Sequence, residues 1–158
     1  MSVSYLFPPD DNDVLPLLPA APDKPKRNTK AIGDQSELEV AVALARAGYI
    51  VSKPLGDSHR YDLIIDDGVT LSRVQVKTGK LASGAIRVSC CSSHRHRGGT
   101  ARSYRGEIDY IGVFCPQTGE AYLVPESEIV ESYMHLRVAP TVNRQDRHIR
   151  WASRYKLA

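Results

Sequence analysis

Two apolar runs meet at a tight-turn signal near the middle of the chain, and that pairing constrains the fold more than any other feature. "RYDLIID" and "LSRVQVKTG" lie on either side of Asp67-Gly68, a step that favours an antiparallel hairpin. Leu63, Ile64 and Ile65 are apolar on both faces, which suits a central strand covered on two sides. In the second run Val74, Val76 and Thr78 alternate with Arg73, Gln75 and Lys77, so an amide and an amine share one face. A two-residue loop sets Asp62 opposite Arg73, and a four-residue loop sets it opposite Gln75. Both place Asp62 on the face of Gln75 and Lys77, whereas a three-residue loop would not.

The flanking sequence adds a helix and more strands. "GDQSELEVAVALARAG" is rich in helix formers, with Leu38, Val42 and Ala45 on one stripe and Gly48 as a stop. "YIVSKP" predicts a short strand ended by Pro54, and "AIRVSC", "EIDYIGVFC" and "EAYLVP" predict three more, with "PQTG" turning between the last two. "ESEIVESY" and the C-terminal "NRQDRHIRWASRYKL" are candidate helices. In the latter, Trp151 and Tyr155 have the spacing to pack a helix onto the core. The fold class expected is α/β or α+β: one sheet flanked by helices. Residues 1–30 hold six prolines, four aspartates and four basic residues without a sustained period. They are expected to form a disordered tail, with the folded domain over 31–158.

A chain of 158 residues holds one domain with a core of its own. It has no run of eighteen apolar residues and its start lacks a secretory signal, so a soluble, cytoplasmic protein without membrane attachment is expected. Three cysteines, two of them adjacent, suggest reduced thiols. The net charge is only +3, yet the segment from Ile86 to Arg105 carries five arginines and two histidines and no acid. From Arg137 to the end, six Lys or Arg face one acid. Such clusters suit a polyanion, because each neutralised phosphate releases counterions.

The hairpin explains what an acid, an amide and an amine could do together. A carboxylate and an amide oxygen are hard ligands suited to Mg²⁺. A lysine beside them can orient an attacking water and stabilise charge gathering on phosphorus. Glu37 adds a carboxylate from the first helix, with two readings open. It stands three residues after Asp34, the spacing of a capping box. If the helix starts earlier, near Asn28 or Thr29, Glu37 lies inside it and can face the sheet.

"GDQSE", the "YD" opening the second strand and "QVK" on the third resemble the PD-(D/E)XK nuclease superfamily, with glutamine in place of the usual acid. The resemblance is strongest to intron-encoded homing-type endonucleases, then to archaeal Holliday junction resolvases, and covers roughly residues 31 to 125. It implies a restriction-endonuclease-like αβββαβ core and metal-dependent hydrolysis of DNA, with Asp62 and Glu37 as metal ligands, Gln75 as the variable ligand and Lys77 as the catalytic lysine. Mg²⁺ is the implied cofactor and DNA the implied partner. A homo-oligomer, dimer or tetramer, is expected for cutting two strands. A neutral Gln75 leaves the site one negative charge short, which is the argument for an inactive nucleic-acid-binding module of the same fold. Holliday junction cleavage, within the nuclease class, and a partner-protein-binding role for the basic segments are the remaining alternatives.

Other residues have lesser claims. Arg95, Arg97, Arg102 and Arg105 are expected to approach phosphates from a basic loop bent at Gly98 and Gly99, with Tyr104 stacking on a base or touching a sugar. Cys90, Cys91, His94 and His96 lack zinc-site spacing. Asp109 is read as a structural partner for a basic residue or a backbone donor.

Overall fold

The computed structural model describes residues 28–56, 58–92, 102–130, 132–140 and 147–157. Helix α1 spans Thr29–Arg46, starting at Asn28, whose side chain accepts the amides of Lys30 and Ala31 at 3.1 and 3.3 Å. An Asn N-cap satisfies donors that the first turn cannot. The helix therefore begins ahead of Asp34, and the capping-box reading of Asp34 and Glu37 does not hold. Its buried stripe is Ser36, Val40 and Leu44, while Leu38 is 69% and Val42 45% exposed. This corrects the Leu38–Val42–Ala45 stripe. In an alanine-rich helix several stripes are equally apolar, so packing decides between them.

Among the described residues eight strands follow: β1 (Ile50–Ser52), β2 (Leu63–Asp66), β3 (Leu71–Thr78), β4 (Lys80–Ala82), β5 (Ala85–Ser89), β6 (Tyr110–Cys115), β7 (Glu120–Pro125) and β8 (Tyr133–Arg137). Five form a mixed sheet in the order β1-β2-β3-β6-β7, in which only β3 and β6 run parallel. A second sheet, β4-β5-β8, is antiparallel. Parallel neighbours need a crossover, and here the chain between β3 and β6 passes through β4 and β5.

The molecule thus has three layers. Between α1 and the large sheet lies one core, with Val40, Leu44, Leu63, Ile65, Val74 and Val76. Between the two sheets lies another, with Ile86, Val88, Ile111, Val113, Met134 and Leu136. Full burial of side chains such as Val40 and Leu44 contributes about 1.5–3 kcal/mol each. Gly112 permits the close approach of α1: a Cβ there would lie 2.7 Å from Val40 Cγ1 and 3.1 Å from Val74 Cγ1.

The expected α/β fold is present, with particular differences. Among the described residues α1 is the sole α-helix, so the second helix of an αβββαβ arrangement is not among them. "ESEIVESY" forms one 3-10 turn at Glu126–Glu128, and Tyr133 already belongs to β8. The exposed–buried alternation of "YMHLR" matches a strand covered on one face. Of the C-terminal segment, the described residues 147–157 hold a turn at Arg147 and His148 and a 3-10 turn at Ala152–Arg154 but no α-helix, with bridges joining Arg137 to Trp151 and Tyr122 to Lys156. Tyr155 nevertheless enters the core between the sheets.

Candidate active site

The loop between β2 and β3 is four residues long, because Asp66 pairs with Leu71 and Leu63 with Val74. Asp67 shapes it: its Oδ1 accepts the amides of Val69 and Thr70 at 2.8 Å each, and Gly68 takes φ +88°. A positive φ costs glycine nothing. The register puts Asp62, the residue before β2, opposite Gln75. The backbone continues the ladder there, with Asp62 N–H donating to Val74 O at 2.9 Å.

The carboxylate and the amide meet as this register requires. Asp62 Oδ2 accepts from Gln75 Nε2 at 2.5 Å and from the Val76 backbone amide at 2.7 Å. Gln75 Nε2 also donates to Val76 O at 3.3 Å. Among the described residues, Asp62 Oδ1 and Gln75 Oε1 accept no hydrogen bond, which leaves each with a hard oxygen free for a further partner. Burial pushes the Asp62 carboxyl above the usual carboxylate range. The Val76 amide opposes the rise, the Glu37 charge adds to it, and the ammonium groups of Lys77 and Lys53 oppose it. A buried carboxyl raised in this way is one that a cation would stabilise in its ionised form.

Glu37 reaches the same place from the helix layer. It lines a cleft of about 150 Å³ with Asp34, Lys53, His59, Tyr61 and Asp62. Strand β1 pairs only as far as Ser52 with Ile64, and Pro54 has no N–H with which to extend the ladder. The sheet edge beside Asp62 is therefore open, and a helix side chain can approach it. Lys53 donates to Glu37 Oε2 at 2.7 Å. Just beyond Glu37's neighbour, Ser36 Oγ lies 2.7 Å from Thr78 Oγ1 and donates to Ile32 O at 2.9 Å, tying the helix to the end of β3.

Lys77 lies two residues past Gln75, facing the small sheet. Its Nζ donates to the Tyr104 hydroxyl at 2.8 Å and lies 4.7 Å from that ring's centroid. Tyr104 is only 4% exposed, and Arg60 covers its ring at 4.4 Å. This corrects its expected role against a base or sugar: a buried ring between two cations offers no stacking face. Arg60 in turn binds Glu107 at 2.6 Å and Ser103 O at 2.8 Å. Arg102 also pairs with Glu107, and Arg105 donates to Ile129 O at 3.2 Å. Both side chains are thus partly held by the protein. Arg95, Arg97, His94, His96, Gly98 and Gly99 lie outside the described residues.

Asp109 is structural in the way its position suggested. Its Oδ2 accepts the Arg73 backbone amide at 2.7 Å and Arg73 Nε at 3.2 Å. The Arg73 hydrogen bond holds its carboxyl below the ordinary range. Cys90, Cys91 and Cys115 are all free thiols. Lys53 and Arg60 were not singled out from the sequence. Each lies in a connecting segment and acquires its role only through contact with α1 or with the 102–107 segment.

The sequence profile of the PD-(D/E)XK endonucleases matches residues 27–158. The chain belongs to the PD-(D/E)XK endonuclease family. The bacterial homing endonuclease I-Ssp6803I has a similar structure, with a TM-score of 0.68 and 26% sequence identity over 82% of this chain and 89% of that one. A further match is Hjc, a Holliday junction resolvase of Archaeoglobus fulgidus, with a TM-score of 0.42 and 18% identity over 67% and 84% of the two chains. No curated protein matches the chain in sequence. The restriction-endonuclease-like fold and membership of a nuclease family are therefore shared with I-Ssp6803I. Among the described residues no helix is long and apolar enough to cross a membrane.

The donor set can be weighed against a divalent cation on its own chemistry. Among the described residues no three His, Cys, Asp or Glu side chains cluster, so any such ion would rest on two carboxylates and an amide oxygen. That set is all oxygen, and Mg²⁺ keeps several of its waters and needs few protein ligands. The residues fit, with one charge fewer than an all-acid site.

Proposed function

We propose that this PD-(D/E)XK protein is an Mg²⁺-dependent endonuclease that hydrolyses DNA phosphodiester bonds where Glu37 and Asp62 line a cleft, with Gln75 and Lys77 completing the site from β3. The observation that carries this reading is the register that sets Asp62 against Gln75 with Lys77 on the same face. Asp62, Gln75 Oε1 and Glu37 would hold the cation, which when bound supplies positive charge against the attacked phosphate. Lys77 would orient the attacking water and stabilise the extra charge on the phosphoryl oxygens. Its ammonium is held in place by Tyr104, itself fixed by Arg60. Glu37 would leave Lys53 to take up its share of the cation. The protein would act as a homo-oligomer, since cutting both strands of a duplex needs two such clefts.

Purified protein incubated with supercoiled plasmid and Mg²⁺ should produce nicked circles, and Lys77→Ala should not, while both bind DNA equally. Absence of Mg²⁺-dependent nicking by the wild type would overturn the reading. It would favour instead a DNA-binding module, for which the neutral amide at Gln75 is the specific argument.

A further inference from the structure

The small sheet turns its apolar side to the core, with Ile86, Val88, Met134 and Leu136 all buried. Its other side carries a different chemistry. Lys80 on β4 pairs with Arg87 on β5, which pairs with His135 on β8. Residues directly opposite on neighbouring strands share a face, so these three basic side chains form one row across the sheet. Like charges placed opposite each other destabilise a sheet, and no acid relieves this row among the described residues. Arg87 is braced over the Tyr133 ring at 3.8 Å.

The row borders a groove of about 670 Å³ whose lining includes Arg87, Tyr133, His135, Arg147, His148 and Arg150, with no Asp or Glu among the described residues. The far wall comes from the C-terminal segment, held beside β8 by the Arg137 amide bonding to Arg150 O at 2.7 Å. Arg137 itself also borders the groove, but its guanidinium is committed to the carbonyls of Ser83, Ala139 and Pro140. It builds the rim, whereas Arg87, Arg147 and Arg150 make no ion pair among the described residues.

We propose that this groove is a second nucleic-acid contact, which holds the phosphate backbone of duplex DNA away from the cleavage cleft. The DNA partner is taken from the nuclease reading; the groove is not part of the cleavage site. Strands about 4.8 Å apart make the row roughly 10 Å long, too long for one phosphate and suited to successive phosphates of a backbone. A concave groove fits a rod better than a flat bilayer. DNA also presents one charge per about 1.7 Å of axis, a density that suits a lining carrying Arg87, Arg147 and Arg150.

The test is fluorescence anisotropy of a labelled duplex in EDTA across a salt series, with the wild type, Arg87→Gln/Arg150→Gln and Arg87→Lys/Arg150→Lys. The Gln pair should flatten the slope of log affinity against log salt by about 1.8, and weaken binding roughly tenfold at about 0.1 M salt. The Lys pair should restore the slope, because the phosphate interaction follows charge. Nicking at saturating plasmid should be unchanged in both variants. A Gln-pair slope equal to that of the wild type overturns the proposal, as does tighter binding of single-stranded RNA or anionic vesicles than of duplex. A wild type that binds DNA with the expected slope but never nicks would sink the catalytic reading and leave this one standing. Should the Gln pair melt early, the Lys pair decides: wild-type affinity and slope there support the proposal, and Arg87→Gln alone must then flatten the slope by about 0.9.

Discussion

Replacing Gln75 with glutamate tests the geometry of the site without assuming that it cuts anything. The substitution removes the Nε2 donor that now lies 2.5 Å from Asp62 Oδ2 and puts a second carboxylate in a position only 8% exposed. Two carboxylates that relax to about 4 Å apart repel by about 4 kcal/mol at an effective dielectric of 20. The pair can escape by keeping one proton. For a glutamate of ordinary pKa, about 4.3, that proton costs about 3.7 kcal/mol at pH 7 but only about 1 kcal/mol at pH 5. Protonated, the new side chain donates to Asp62 and replaces the lost hydrogen bond. The expected loss is therefore about 3–4 kcal/mol at pH 7 and about 1 kcal/mol at pH 5. For a chain of this length that is a fall in Tm of roughly 10–15 °C against roughly 4 °C. Millimolar Mg²⁺ should return most of the loss at pH 7, because the cation replaces the proton, and should raise the wild-type Tm much less. Differential scanning fluorimetry in EDTA and in Mg²⁺, at both pH values, reads every arm. Equal losses at the two pH values, or no recovery with Mg²⁺, would refute the facing of residues 62 and 75 and their shared cation site.

Asp62→Asn should abolish nicking yet melt above the wild type at pH 7, since it keeps an acceptor for Val76 and removes a charge that burial disfavours. Native Asp62 holds its proton to higher pH than its unfolded form, so wild-type stability falls as pH rises from the ordinary carboxylate value, 3.8, through the raised one. The advantage of Asp62→Asn should thus shrink as a melting series descends through that window; an advantage independent of pH would contradict it. Tyr104→Phe keeps the ring beneath Arg60 and removes only the acceptor for Lys77. Nicking should slow about tenfold in kcat with KM unchanged, the equivalent of roughly 1.4 kcal/mol of lost positioning; a change confined to KM would instead make Tyr104 a DNA contact. Gly112→Ala drives a methyl toward Val40 and Val74, and should cost about 1–3 kcal/mol by overpacking, read in urea melts; a neutral result would mean that α1 is not seated on β6.

The site was legible where its geometry is local. Asp62, Gln75 and Lys77 belong to one hairpin, and period-two alternation with a short turn leaves only the loop length to decide their register. The four-residue loop then follows from Asp67 capping two amides. Glu37 was legible as a carboxylate but not in its role, because that depends on where α1 begins, and Asn28 supplies an N-cap six residues before Asp34. What escaped was produced by contacts between segments far apart in the chain. The buried stripe of α1 is set by Gly112, which lets Val40 rather than Leu38 face the sheet. Tyr104, placed on a basic loop by composition, is drawn inward by Lys77 and Arg60. The basic row is the clearest case: Lys80, Arg87 and His135 come from three strands, two of which were not anticipated. No one-dimensional charge count could have distinguished a row across a sheet from scattered cations. The same folding that withdraws Tyr104 from the solvent aligns that row. The positive charge evident in the sequence has thus been divided, with Lys77 and Arg60 placed beside the cleft and Arg87, Arg147 and Arg150 gathered at the outer groove.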